Sequence, residues 1–101
     1  MELILEANNV VKIYYDGRRD APYCLRGTCY FGVLAADCER NTKVVIVDGD
    51  QQYEASVWGI ERFLETLDKA PAGMEIGLFF SYHYPNLPES KTVKIYRKID
   101  T

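Results

Sequence analysis

The chain has few of the residues from which catalytic and metal sites are usually built. It contains one histidine, His83, and three cysteines, Cys24, Cys29 and Cys38. The cysteine spacing matches no common zinc pattern, and a cysteine nucleophile would need a base for which only His83 is present. G-x-S-x-G, P-loop and H-E-x-x-H motifs are missing. The sequence therefore predicts no catalytic residue, no metal site and no cofactor.

Long apolar runs are missing as well. No stretch approaches the roughly 18 to 20 apolar residues that cross a bilayer, and the opening residues include acids where a secretion signal would carry lysines. An odd number of cysteines in a chain without an export signal argues against a disulfide framework. These absences predict a cytoplasmic protein with reduced cysteines and no membrane partner.

The size and composition predict a single domain, 1–101. A chain of 101 residues has room for one hydrophobic core. Its 48% apolar and 27% charged residues are typical of globular proteins and not of disordered ones.

The charge of −3 is distributed unevenly along the chain. Residues 48–75 contain seven acids against two bases, whereas residues 91–98 contain four bases and no acid. The two segments can attract a charged partner, or neutralise each other as neighbours in the fold. The acidic remainder argues against a nucleic-acid partner, since such binders usually carry a basic surface.

Most of the sequence predicts strands. Residues 23–36 are apolar throughout, as in a central strand, and residues 74–84 predict a second long strand. Residues 43–47 precede Asp48-Gly49, which predicts a type I′ hairpin turn and a polar return arm at a sheet edge. Residues 91–99 alternate as in a half-exposed strand near an edge. Asn8-Asn9 indicates either a tight turn between two strands or an irregularity in one long strand.

One stretch, Ser56 to Lys69, predicts an amphipathic helix. Ser56 is a suitable N-cap residue. The apolar residues of the stretch fall within an arc of about 120° at helical periodicity, the width expected of a helix packed on a sheet. They are Val57, Ile60, Phe63, Leu64 and Leu67. The predicted fold is therefore α+β, a mainly antiparallel sheet of about five or six strands with one helix on a face.

The polar side of this helix is the predicted partner-binding surface. Trp58 falls outside the apolar arc, beyond an acidic stripe formed by Glu61, Glu65 and Asp68. Either a loop or Arg62 covers the indole, or Trp58 is an interface anchor, since tryptophan is enriched at binding hot spots. The neighbouring hairpin would add three further residues, Asp48, Asp50 and Tyr53.

The composition favours a binding function over catalysis. Eight tyrosines in a small acidic chain favour an interface, because tyrosine supplies contact area at low entropic cost. We expect a stoichiometric protein-binding module or inhibitor, of a class that includes toxin-immunity and anti-defence proteins. The alternatives are a small enzyme or ligand-binding domain with a pocket near Tyr82, His83 and Arg18 or Arg19, and a homodimer formed through an edge strand.

Overall fold

The computed structural model describes residues 1–15, 25–63, 65–81 and 83–99, which form strands and connecting turns. The strands are β1 (Leu3–Glu6), β2 (Asn9–Tyr15), β3 (Leu25–Val33), β4 (Cys38–Glu39), β5 (Lys43–Asp48), β6 (Gln51–Ser56), β7 (Gly59–Arg62), β8 (Glu65–Leu67), β9 (Lys69–Ala70), β10 (Glu75–Ser81) and β11 (Lys94–Arg97). No residue in these ranges is helical, and so none belongs to a helix that could cross a membrane.

The predicted α+β fold is wrong, because the described residues of the stretch 56–69 form strands and turns. Ile60 and Leu67, which a helix would place on one face, are cross-strand partners in a β7–β8 hairpin. Two residues seven apart share a face after two helical turns, and they also share one across a hairpin with a two-residue turn. The apolar spacing therefore fits both structures, and the β-branched residues Ile60 and Thr66 favour the strands.

The strands pair antiparallel in three sheets. A four-stranded sheet has the order β1-β11-β5-β6, a five-stranded sheet has the order β2-β3-β10-β7-β8, and β4 pairs with β9. The central position of β3 and the hairpin from β5 to the polar edge strand β6 confirm the sequence prediction. The hairpin turn is Gly49–Asp50, and only Gly49 has a positive φ (61°), as in a type II′ turn instead of the expected type I′.

Residues 7 and 8 carry the chain from one large sheet to the other. The Ala7 N–H donates to the Val93 carbonyl (2.9 Å), and the Asn8 N–H donates to the Phe31 carbonyl (2.8 Å). Both predictions for Asn8-Asn9 are therefore wrong, since β1 and β2 belong to different sheets and do not pair.

The two large sheets enclose one hydrophobic core. Strand β6 leads directly into β7 through Val57 and Trp58, and Leu5 of β1 pairs with Leu34, the residue after β3. Buried side chains from both sheets pack together, among them Ile4, Leu5, Tyr30, Val44, Ile46, Ile60, Leu78, Phe80 and Ile95.

Strand β11 is half-exposed and lies between the edge strand β1 and β5, which agrees with the predicted position near an edge. Its basic residues meet acids of neighbouring segments. Arg97 Nε lies 2.7 Å from Glu2 Oε1, and Lys98 Nζ lies 3.1 Å from Glu54 Oε1. The basic segment 91–98 is thus partly neutralised within the fold. This agrees with the interpretation that segments of opposite charge are neighbours in the fold.

The outer face of the five-stranded sheet, the side away from the core, combines glycines with larger side chains. The register places Phe31, Gly77 and Glu61 side by side across three strands of this face. A Cβ atom on Gly77 would lie 2.5 Å from Cys29 Sγ and 2.7 Å from the Phe31 ring. Neighbouring side chains therefore occupy the space above Gly77, and the Phe31 ring lies close to the backbone of the sheet.

Candidate functional site

The β7–β8 hairpin forms one edge of the five-stranded sheet. Arg62 pairs with Glu65, so positions 63 and 64 connect the two strands. Position 64 lies outside the described residues. Strand β8 has three residues and is the last strand of the sheet. The hairpin therefore presents a short strand edge and its turn at the surface.

Phe63, in this turn, is the most exposed large apolar residue of the described chain. Its side chain is 84% exposed, and its φ is +48°. An L-residue in this left-handed region is strained by about 1–2 kcal/mol, a cost that glycine or asparagine largely avoids. The Arg62 guanidinium lies 5.4 Å from the centroid of the ring. The sequence pattern predicted a core position for Phe63, and the structure shows that this was wrong.

Trp58 lies at the base of the hairpin and is half-buried. Its ring meets the buried Phe79 ring edge to face, with centroids 5.4 Å apart. The Arg40 guanidinium lies 5.2 Å from the indole centroid. Arg40, and not the expected Arg62, therefore provides the cation–π contact, and part of the indole remains accessible.

The three predicted acids of this stretch lie along the same hairpin and the residue after it. Glu61 is half-buried, and its Oε1 accepts a hydrogen bond from Thr66 Oγ1 (3.0 Å). Glu65 is exposed on β8. Asp68 Oδ1 lies 3.9 Å from an Arg40 guanidinium nitrogen, an exposed pair that contributes little to stability. The structure thus brings Trp58 together with these acids.

The other half of the predicted surface lies elsewhere. Asp48 ends β5 and Asp50 lies in the hairpin turn, at the far end of β6, a six-residue strand that is about 17 Å long at about 3.3 Å per residue. Tyr53 packs against the hydrophobic core. Burial raises the pKa of the Tyr30 phenol, and the charge of Asp48 raises it further. These three residues do not join the surface around Trp58.

A groove of about 690 Å³ lies beside the hairpin turn. The residues that line it come from β3, the hairpin, the loop before β10 and the first residues of β10. They are Phe31, Glu61, Arg62, Phe63, Pro71, Gly73, Met74, Glu75 and Ile76. Only Glu61 among them was predicted from the sequence as a site residue. Gly77, whose missing side chain lets the Phe31 ring lie close to the backbone next to Glu61, is the one signal in the sequence, and it can be interpreted only once the strand register is known.

The predicted ligand pocket is described only at His83, since Arg18, Arg19 and Tyr82 lie outside the described residues. His83 is exposed, and its Nδ1 lies 3.0 Å from the hydroxyl of the buried Ser81. This contact orients the imidazole.

The described cysteines are free and buried. Burial raises the pKa of the Cys29 thiol to about 12, with a further contribution from the Glu61 charge. Burial also raises the pKa of Cys38. Both thiols are therefore protonated at neutral pH and are poor nucleophiles. Within the described ranges, no group of three or more metal-binding side chains is arranged to hold an ion.

Comparison of the chain with protein-family models and with curated proteins gives no match. The functional assignment therefore depends on the geometry of the hairpin and its groove.

Proposed function

We propose that the protein is a non-enzymatic, stoichiometric binding protein that holds a partner protein against the β7–β8 hairpin. Phe63 is the anchor, and Glu61, Glu65 and Asp68 give the hairpin negative charge. Small inhibitors of the toxin-immunity or anti-defence type work in this way, by covering a surface of another protein. The free thiols of Cys29 and Cys38 support a cytoplasmic location for this complex.

The observation that carries this proposal is the combination of exposure and strain at Phe63. An 84% exposed phenyl ring buries little apolar surface on folding, and the left-handed backbone costs free energy. Folding alone would favour glycine or asparagine in this turn. Aromatic side chains are enriched in protein interfaces, where burial of the ring would offset the cost.

Trp58 and its surroundings extend the same surface. The indole is partly accessible beside Arg40, and Asp68 lies within reach of the same guanidinium. A partner that covers the hairpin turn would meet these residues at its margin. Because Trp58 also packs against Phe79, its replacement would change folding as well as binding.

Phe63→Gly tests the proposal, because it removes the ring and also relieves the strained φ. The tagged wild-type protein and the variant are used to capture partners from extracts of the source cells, and bound proteins are quantified by mass spectrometry. We expect the variant to lose at least about 90% of its specific partner, as for a central anchor of an interface. The melting temperature should be unchanged or slightly higher, because glycine adopts a positive φ readily.

Ile99→Ser is the matched control, since Ile99 is another exposed apolar residue (59%) and follows β11 in the other large sheet. It should capture the partner as the wild type does. Retained capture by Phe63→Gly would exclude the hairpin turn as the binding surface. A fall in melting temperature of more than about 5 °C, roughly 1 kcal/mol for a domain of this size, would assign Phe63 a structural role instead.

A further inference from the structure

The groove forms where two neighbouring strands separate. Strand β7 pairs with β10 from Gly59↔Phe79 to Glu61↔Gly77 and then turns away at Phe63. Strand β10 begins two residues before Gly77, at Glu75, where it pairs with β3. The space between the turn and the start of β10 becomes the groove, whose volume of about 690 Å³ lies within the range of about 300–1,000 Å³ typical of ligand pockets.

Apolar and aromatic side chains make up much of the groove. Phe31 and Met74 are half-buried, Ile76 is buried, and Phe63 is exposed at the margin. Such a lining favours the apolar part of a side chain, and phenyl rings also attract cations to their faces. The Arg62 guanidinium near the Phe63 ring is an example of this contact within the chain itself.

Two carboxylates give the groove a negative charge. Glu61 lies directly across from Gly77, and Glu75 lies two residues before Gly77 on the same face, so the two carboxylates border the groove from neighbouring strands. Arg62 supplies the single positive charge among the lining residues that the structure describes. The hydrogen bond from Thr66 holds one oxygen of Glu61 in place. The groove therefore carries net negative charge beside aromatic rings.

We infer that the groove binds an arginine side chain of the partner protein, with its guanidinium between Glu61 and Glu75 and its methylene groups along Phe31 and Met74. A guanidinium is planar, offers five N–H donors and stacks on aromatic rings, whereas an ammonium is a compact, strongly hydrated charge. Apolar residues on either side of the arginine would contact Phe63 and Pro71. This inference rests on the proposed binding function and adds the chemistry of the partner.

Three peptides test the inference: a five-residue peptide with one arginine between two leucines, and the same peptide with citrulline or lysine at that position. Citrulline has nearly the shape of arginine and no charge. Each peptide is titrated into the isotope-labelled protein, and amide chemical shifts are recorded at two salt concentrations.

We expect the arginine peptide to shift the amides of Glu61, Gly73 and Gly77 with a Kd of about 1 mM or lower, as a short ligand allows. The citrulline peptide should bind at least tenfold more weakly than the arginine peptide, and the lysine peptide at least threefold more weakly. Raising the salt from about 50 to about 500 mM should weaken arginine binding severalfold, because the carboxylates are accessible to ions. Equal binding of arginine and citrulline, or shifts away from the groove, would overturn the inference. Lysine binding as tight as arginine would overturn the assignment to arginine.

Carboxamide variants locate the charge. Glu61→Gln and Glu75→Gln should each weaken arginine binding at least threefold, and the new carboxamide oxygen at position 61 can still accept the hydrogen bond from Thr66. Glu6→Gln is the control, since Glu6 is exposed on β1 in the other large sheet and does not line the groove. Equal effects of all three variants would indicate a general charge effect and would contradict the binding of arginine in the groove.

Partner capture separates this inference from the proposed function. If Phe63→Gly abolishes capture while the arginine peptide does not bind, the hairpin is the interface and the arginine assignment is wrong. If the arginine peptide binds at the groove while Phe63→Gly captures the partner normally, the groove is a binding site and the anchor role of Phe63 is wrong.

Discussion

At the scale of single residues, Cys29 shows how packing on the outer face of the five-stranded sheet makes a thiol unreactive. The thiol is fully buried, although it lies on the side of the sheet away from the core, and Sγ occupies part of the space above Gly77. Burial disfavours the thiolate, and the nearby Glu61 carboxylate adds repulsion. The residue therefore acts as a small apolar side chain.

The raised pKa of Cys29 predicts that the protein loses stability in alkali. The thiol loses its proton near pH 9 in the unfolded chain and near pH 12 in the folded protein, so the unfolded state binds fewer protons between these values. The free energy of unfolding should therefore fall above pH 9, by at most about 1.4 kcal/mol per pH unit for each such group.

Urea unfolding of the wild type and of Cys29→Ala at pH 8, 9 and 10 measures this effect. The variant should be less stable at pH 8 but show a smaller decrease with pH. Part of the decrease should remain, because burial also raises the pKa of Tyr30. Parallel curves for the two proteins would show that Cys29 does not titrate as expected.

At the scale of elements, the two hairpins explain which parts of the fold could be predicted. The β5–β6 turn contains Gly49 at a positive φ, and the sequence predicted this hairpin correctly from Asp48-Gly49, although the turn lies at Gly49–Asp50. The β7–β8 turn has Phe63 at a positive φ instead and carries no such signal. Its apolar spacing imitated a helix, because Ile60 and Leu67 share a face across the hairpin, as they would after two helical turns.

The candidate site was predicted only where its residues are close in sequence. Trp58, Glu61, Glu65 and Asp68 lie within eleven positions, so the structure keeps them together whether the stretch is helical or extended. Phe31 and Glu75 reach the groove through the pairing of β3 and β10, a long-range register that local patterns do not specify. Asp48 was included for its charge, and the length of β6 places it far away.

The packing above Gly77 predicts unequal effects of two glycine substitutions. A Cβ atom at Gly77 would meet Cys29 Sγ at 2.5 Å and the Phe31 ring at 2.7 Å, so Gly77→Ala should destabilise the fold by about 1–3 kcal/mol. The displaced Phe31 ring should also weaken binding of the arginine peptide. Urea unfolding and the peptide titration measure the two effects.

Gly59→Ala is the control for this substitution. Among the described residues its Cβ atom would meet the methyl group of Thr66 alone, at 3.0 Å, and an exposed side chain can shift. The cost should therefore stay below about 1 kcal/mol, the lower end of the range for overpacking. Equal destabilisation by the two variants would show that the ring and thiol above Gly77 are not tightly packed.

At the scale of the whole molecule, one arginine joins segments that are distant in sequence. Arg97 of β11 donates from Nε to Glu2 Oε1 (2.7 Å) and from a terminal nitrogen to the Asp37 carbonyl (2.6 Å). The Asp37 carboxylate accepts a hydrogen bond from the Ala72 N–H (2.8 Å). The beginning of the chain, its last strand and the connections around β4 and β9 therefore meet at one place.

The two contacts of Arg97 differ in their expected contribution to stability. An exposed ion pair contributes about 0–1 kcal/mol, whereas a hydrogen bond from a charged group contributes about 1.5–3 kcal/mol. Both contacts are exposed, and solvent screens the attraction between the charges of Arg97 and Glu2. The bond to the Asp37 carbonyl has a neutral acceptor and depends less on that attraction, so it should dominate.

Glu2→Gln and Arg97→Ala separate these contributions. Glu2→Gln keeps an acceptor for Nε and removes the charge, so the free energy of unfolding should fall by less than about 1 kcal/mol. Arg97→Ala removes both contacts and should lower it by about 2 kcal/mol, or roughly 10 °C in melting temperature for a domain of this size. Losses of similar size in the two variants would show that the ion pair, and not the bond to the Asp37 carbonyl, holds these segments together.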